Sequence, residues 1–154
     1  MWFVHADSTV PRAFARVFHE LDQEPEVAGG SFRFALDHSS WQARVWEHGV
    51  AARVRLFGLA YGDQGQFVRR RVFERMGGFR PLPLMEDVDF MRRLKRQGRI
   101  RHLNLKLVTS ARRWEREGWW RRTRGNLTLL ALYYVGVSPE RLARRYDRSQ
   151  GGRS

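Results

Sequence analysis

The sequence predicts an α/β domain with additional helices towards its C-terminal end. Two kinds of apolar periodicity alternate along it. Phe32, Phe34 and Leu36 recur at every second position, whereas Phe14, Val17, Phe18 and Leu21 recur at helical spacing. Glycine and proline fall between such segments, at Gly62 to Gly65, Gly77-Gly78 and Pro81 to Pro83, where they mark turns. Across 154 residues, a content of 42% hydrophobic and 13% aromatic side chains can build one core and argues against wholesale disorder.

Taken in order, Trp2 to Val4 reads as a short buried strand that opens the chain. Pro11 suits the first turn of a helix running to Leu21. Phe32 to Leu36 alternates as a strand does. Trp46, Val50, Val54 and Phe57 fit a helix, although Arg53 and Arg55 between apolar residues also fit a strand. Gly62-Asp63-Gln64-Gly65 is a loop leading into a short strand at Gln66 to Arg69. Val72 to Met76 forms a brief helix stopped by Gly77-Gly78. Pro81 and Pro83 keep the next segment extended. Glu86 to Gln97 is helical, with Phe90, Met91 and Leu94 inward and Gly98 ending it. Leu103, Leu105 and Leu107 then alternate as a strand. Two helices follow, roughly Trp119 to Val135 and Pro139 to Tyr146, with Ser138 as an N-cap. The expectation is one domain over residues 1–147 and a disordered tail over 148–154.

The formal net charge is +13, and of 29 basic residues only Lys95 and Lys106 are lysine. Arginine forks match phosphate and carboxylate oxygens, so the bias points to a polyanionic partner, although base composition of the coding DNA can produce it too. The absence of cysteine removes disulfides and thiolate metal sites and fits a reducing compartment. No basic region followed by an apolar stretch and a cleavage site opens the chain. The longest apolar stretch, Leu127 to Val137, is shorter than the roughly 20 residues that span a bilayer. Preceded by Trp119-Trp120-Arg121-Arg122, it reads as a buried helix or as a segment at a membrane interface. A cytoplasmic location, with room for contact at the inner membrane face, is the expectation.

Glu86, Asp87 and Asp89 place three of only 16 acidic residues within four positions. Asp7 follows the apolar opening in Trp2-Phe3-Val4-His5-Ala6-Asp7-Ser8. Carboxylates scarce elsewhere and gathered here are candidates for metal binding and proton transfer. Read without further context, the three acids are ordinary first-turn helix residues, and Asp7-Ser8 is a turn or cap before Pro11.

The motifs in sequence order resemble those of the family-2 glycosyltransferases, and more narrowly the bacterial radical-SAM/selenodomain-associated transferases. The residues that carry the resemblance are His5-Ala6-Asp7-Ser8, Gly29-Gly30-Ser31-Phe32 and Tyr61-Gly62-Asp63-Gln64-Gly65. They continue with Phe67-Val68-Arg69-Arg70, Gly77-Gly78-Phe79, Pro83-Leu84-Met85-Glu86-Asp87-Val88 and Thr109-Ser110-Ala111-Arg112-Arg113-Trp114-Glu115. Each motif is weak alone; their order and spacing run through nearly the whole chain. The resemblance implies a GT-A fold, with a mixed sheet flanked by helices. Such enzymes begin with βαβ units that bind the donor nucleotide, so it also implies that this chain represents the C-terminal part of the domain. About two units of 30 or more residues each would then be missing, or supplied by a partner or a second copy.

Carried onto this sequence, the resemblance implies a metal-dependent, inverting transfer of a sugar from a nucleoside diphosphate to an acceptor hydroxyl. Asp7, with His5, would hold Mg2+ or Mn2+; as i and i+2 of a strand the two would share a face. An imidazole suits manganese better than magnesium. Asp87 would be the general base, and Glu86 would bind acceptor hydroxyls or position that base. Asp89 would face solvent or pair with Arg92 or Arg93. Asp63 and Gln64 would contact acceptor or donor sugar, or form a plain turn. Arg112 and Arg113 would neutralise the leaving diphosphate, and Trp114 would stack on a sugar or lie in the core. The Gln-x-x-Arg-Trp pattern of processive family-2 enzymes is absent. Gly29-Gly30 would admit a ligand closely or bend its strand.

Two rival readings stand beside this one. From Arg92 to Arg124, 13 basic residues with Trp114, Trp119 and Trp120 could grip the phosphates and bases of a nucleic acid, though no nucleic-acid motif accompanies them. Alternatively the chain is an inactive remnant of the transferase fold that serves as an interaction module.

Overall fold

The computed structural model describes the backbone of residues 1–151 and the side chains of residues 1–148. The chain divides into two compact units: Met1–Gly78 with Asp87–Ala111, and Phe79–Glu86 with the chain from Arg112 onwards.

The first unit is an α/β layer built on a four-stranded mixed sheet flanked by helices. In chain order it contains β1 (Ser8–Thr9), α1 (Phe14–Asp22), β2 (Val27–Leu36), α2 (Trp41–Phe57), β3 (Phe67–Val68) and α3 (Arg70–Arg75). These are followed by α4 (Glu86–Leu94), whose first residue belongs to the second unit, and β4 (Arg99–Thr109). The strand order is β1-β4-β2-β3, with β2 and β4 parallel and the two outer pairings antiparallel. The strands expected at Phe32 to Leu36 and Leu103 to Leu107 are therefore the two central ones. They carry the register Phe34↔Leu107 and Leu36↔Thr109.

The opening segment corrects one expectation. Trp2 to Val4 is half-buried and forms no full strand; a single antiparallel bridge joins Trp2 to Phe67. Backbone bonds from Phe3 to the Gln66 carbonyl (2.9 Å) and from Val68 to the Met1 carbonyl (2.9 Å) complete the pairing. The partner strand β3 is only two residues long, so a longer ladder has nothing to pair with. The side chains still alternate. Trp2 stacks on Phe32 with centroids 4.7 Å apart, whereas Phe3 turns to Phe73 at 5.3 Å and Phe90 at 6.3 Å. Leu21, Val27, Phe32, Phe67 and Leu107 form the core on the Trp2 side. Each such large apolar side chain contributes roughly 1.5–3 kcal/mol on burial.

Helix α2 settles the ambiguity at Arg53 and Arg55. Ser40 caps it by accepting from the Ala43 amide (3.2 Å), and Gly58 at φ 59° donates to the Val54 carbonyl (2.7 Å). Buried Glu47 reaches across to the Leu36 amide (2.8 Å), tying α2 to the end of β2. Helix α4 buries Phe90, Met91 and Leu94 as its spacing predicts, and Val88 besides. Asp89 is buried and pairs with Arg93 at 2.7 Å.

The second unit contains α5 (Arg112–Glu117), α6 (Trp119–Tyr134) and α7 (Pro139–Gly151). The short α5 is absent from the sequence expectation, because six residues give too little periodicity to read. Gly118, at φ 82°, separates it from α6. Glu117 accepts from Arg122 at 2.7 Å, and the Arg122 guanidinium lies 5.0 Å from the Trp114 ring centroid. Helix α7 starts at Pro139, where the Ser138 carbonyl accepts from Leu142 (3.1 Å). It runs through Gly151, beyond the start of the expected tail at Arg148, while residues 152–154 of that tail lie outside the described residues. Among the described residues no helix is long and apolar enough to cross a membrane.

Candidate functional site

The parallel strands β2 and β4 end together, and ligands of open α/β sheets bind beyond such carboxyl ends. At this edge Thr109 gathers three segments. Its hydroxyl lies 3.1 Å from Ser8 Oγ and donates to the Asp63 carbonyl at 3.4 Å, while its carbonyl accepts from the Asp37 amide at 3.2 Å. Asp37 in turn accepts from the Ala111 amide through Oδ1 at 2.6 Å. The His5 to Ser8, Gly62 to Gly65 and Thr109 to Ala111 motifs, distant in sequence, are thus brought to one rim of the sheet.

Helix α4 delivers Asp87 to the same turn. One carboxylate oxygen accepts from the Gly62 amide at 2.7 Å, and the other accepts from Val88 at 2.7 Å. A β-carbon placed on Gly62 would lie 2.8 Å from His5 Nε2 and 3.5 Å from Asp87 Oδ2. The imidazole of the opening segment and the carboxylate of α4 therefore meet over a position that only hydrogen occupies. Asp89, Glu47 and Glu117 are each held by an arginine, at 2.7, 2.8 and 2.7 Å. Asp87 differs: backbone amides hold both of its oxygens, and among the described residues it has no arginine partner.

Two buried glutamines build this turn, a single 3-10 segment at Gly62–Gln64. Gln64 is 2% exposed; its Oε1 accepts from the Tyr61 amide (3.1 Å) and Arg53 (3.1 Å), and its Nε2 donates to the Phe32 carbonyl (3.5 Å). Gln66 donates to the Ala60 carbonyl (3.0 Å) and the Asp87 carbonyl (3.2 Å). Gln64, expected at a sugar or in a plain turn, braces that turn from inside through both the oxygen and the nitrogen of its amide. The sequence assigns no site role to Gln66, Arg53, Asp37 or Thr109, although Thr109 opens one of the motifs that carry the resemblance.

The metal expectation is also changed locally. The Ser8 amide donates to the His5 carbonyl at 3.0 Å, so His5 to Ser8 is a turn, and β1 begins only at Ser8. His5 and Asp7 are consequently not alternate residues of one strand and do not share a pleated face. Aspartate and serine favour such turns through their short polar side chains. Asp7 is exposed. Among the described residues no group of three or more His, Asp or Glu side chains could hold a metal ion. The donor set fits a magnesium-type site only in its minimal form, one carboxylate with substrate phosphates and water completing the shell.

Asp63 is half-buried at the rim. Glu86 is exposed at the first position of α4 and follows Met85, whose φ of 66° is costly for a non-glycine residue. In the second unit, Arg112 and Arg113 are exposed on the first turn of α5. Trp114 is 5% exposed and packs against Trp119 and Arg122, so it belongs to the interior and offers no open ring to a sugar.

No family model, curated protein or solved structure matches the chain.

Proposed function

We propose that the chain is the acceptor-side part of a GT-A glycosyltransferase of the family-2 type. In this reading it moves a sugar from a nucleoside diphosphate to an acceptor hydroxyl with inversion. The observation that supports it most is the meeting of His5, Gly62 and Asp87 at the carboxyl edge of the sheet. Asp87 is the general base. Its two backbone bonds fix the carboxylate and leave its remaining lone pairs to accept the acceptor's proton as the hydroxyl oxygen attacks the anomeric carbon. The carbon–oxygen bond to the diphosphate breaks on the opposite face, and the nucleoside diphosphate leaves with the electron pair. Asp7 is the residue that would hold Mg2+ or Mn2+, which would supply charge neutralisation for the diphosphate. Asp63 binds acceptor hydroxyls.

A second reading, an interaction module, is favoured by one observation. Trp41, Leu56 and Phe57 of α2 are 62, 74 and 64% exposed, an apolar surface of the kind that partners cover. One assay separates the two. With Mn2+ and a panel of UDP- and GDP-sugars, the enzyme reading predicts sugar release or transfer. It also predicts that Asp87→Asn lowers this by about 100-fold or more while nucleotide binding is retained. Wild-type turnover equal to that of Asp87→Asn would remove Asp87 from the base role. A folded chain silent toward every donor would favour the module.

A further inference from the structure

The pairing of β2 with β4 slips in the middle: Ser31 is opposite His102, yet Arg33 is opposite Lys106. One residue of β2 thus faces three of β4, and the extra residues bow away from the ladder. A cavity of about 580 Å³ opens at this bulge, between the two strands and α2. Its apolar wall includes Phe34, Val50, Val54 and Leu103. Its polar wall includes Arg33, Arg55, His102 and Asn104, and no carboxylate lines it. Neither Arg33 nor Arg55 has an ion-pair partner among the described residues.

The imidazole of His102 is positioned by the chain itself. Its Nδ1 lies 2.9 Å from the hydroxyl of Ser31, which is fully buried, and this leaves Nε2 for another partner. Nε2 lies 3.7 Å, and Lys95 Nζ 2.8 Å, from the point that a β-carbon on Gly58 would occupy. Lys95 is itself anchored on the Phe57 carbonyl. A pocket with one apolar wall, two uncompensated guanidinium forks, a fixed imidazole and a nearby ammonium is complementary to a doubly charged anion on an apolar body. Two forks match the three terminal oxygens of a phosphate ester better than the two of a carboxylate. The enclosure by α2 suits a small molecule rather than a nucleic-acid strand, which needs a continuous open groove.

We propose that this cavity binds an organic phosphate monoester, its apolar part against the half-buried Ala51 and Leu103 and its phosphate between Arg33 and Arg55. The site goes beyond sugar transfer and does not depend on it. Phenyl phosphate is a suitable probe, with inorganic phosphate and phenol as its two halves, titrated calorimetrically into the full chain. Phenyl phosphate should bind about tenfold or more tightly than either half alone. The Arg33→Gln/Arg55→Gln double variant should lose about tenfold or more of that affinity. Both arginines are exposed, so its melting temperature should match the wild type. Asp87→Asn should bind the probe as wild type does, whether or not it retains turnover. Equal affinity for inorganic phosphate and phenyl phosphate would reduce the site to general anion attraction by arginine and overturn the proposal. Undiminished binding by the double variant would overturn it as well.

Discussion

Three glycines, at positions 29, 30 and 62, are read differently by the structure although each is simply a missing side chain in the sequence. A β-carbon on Gly30 would lie 1.8 Å from the Arg101 carbonyl oxygen, and one on Gly29 would lie 2.3 Å from that of Phe67. These are backbone atoms of the two neighbouring strands, so the pair lets strands approach each other and does not admit a ligand. Of the two readings open in the sequence, ligand approach and strand bending, neither names that cause. Sequence spacing cannot say which backbone lies alongside. At Gly62 the nearest atoms are the tips of His5 and Asp87, side chains that can move. The contrast is testable. Gly30→Ala should destabilise the fold by about 4 kcal/mol or more and yield little folded protein. Gly62→Ala should keep its unfolding free energy within about 1 kcal/mol of wild type while losing most turnover, because His5 Nε2, 2.8 Å from the added carbon, is forced out of place. Circular dichroism with denaturant reads the first quantity and the sugar-nucleotide assay the second. Equal destabilisation by the two substitutions would contradict this account.

At the scale of elements, the legible parts were those with enough residues to show a period. Helix α4 and strands β2 and β4 follow from Phe90, Leu94, Phe34 and Leu107, which the structure buries, whereas the segment of α2, buried at Val50 and Val54, stood open between helix and strand. The opening strand shrank to one bridge because β3 is too short to pair with more of it. The six residues of α5 hid because they are too few to show a period, and one of the two that it buries is an ion-paired acid. That acid, Glu117, is 6% exposed. Burial alone would raise its carboxyl, but hydrogen bonds and charge from Arg122 and then Arg116 outweigh burial and hold it below the usual value of 4.5. The unfolded chain therefore takes up the proton first as pH falls. The pair's stabilisation is present above pH 4.5 and lost as pH drops through the lowered folded value. Glu117→Gln should cost the C-terminal helices about 2 kcal/mol at neutral pH and flatten their acid-unfolding limb below that point. Helical signal followed against pH in the two proteins checks this; superimposable acid limbs would contradict the assigned role.

At the scale of the molecule, the charge and the scarcity of acids were plain in the sequence, and their consequence is visible in three dimensions. The interior acids Glu47, Asp89 and Glu117 are each neutralised by an arginine, whereas Asp87 is fixed by backbone amides alone. The clustering of Asp87 with Glu86 and Asp89 was legible; the difference in their surroundings was not, because it depends on which turn α4 meets. The meeting of the first ten residues with the Gly62 turn and with Thr109, 101 positions beyond Ser8, is far from local. No periodicity encodes it. Only the resemblance to a transferase linked those motifs; Gln64 stood among them as a sugar contact or turn residue, and the bracing by Gln64 and Gln66 was not legible. The most direct measurement of this convergence is paramagnetic broadening of amide signals as Mn2+ and a nucleoside diphosphate are titrated into the isotopically labelled chain. The account predicts that Asp7, Gly62, Asp63 and Val88 broaden first and together. Broadening at Asp7 that leaves Gly62 and Val88 sharp, or that is centred elsewhere, would contradict it.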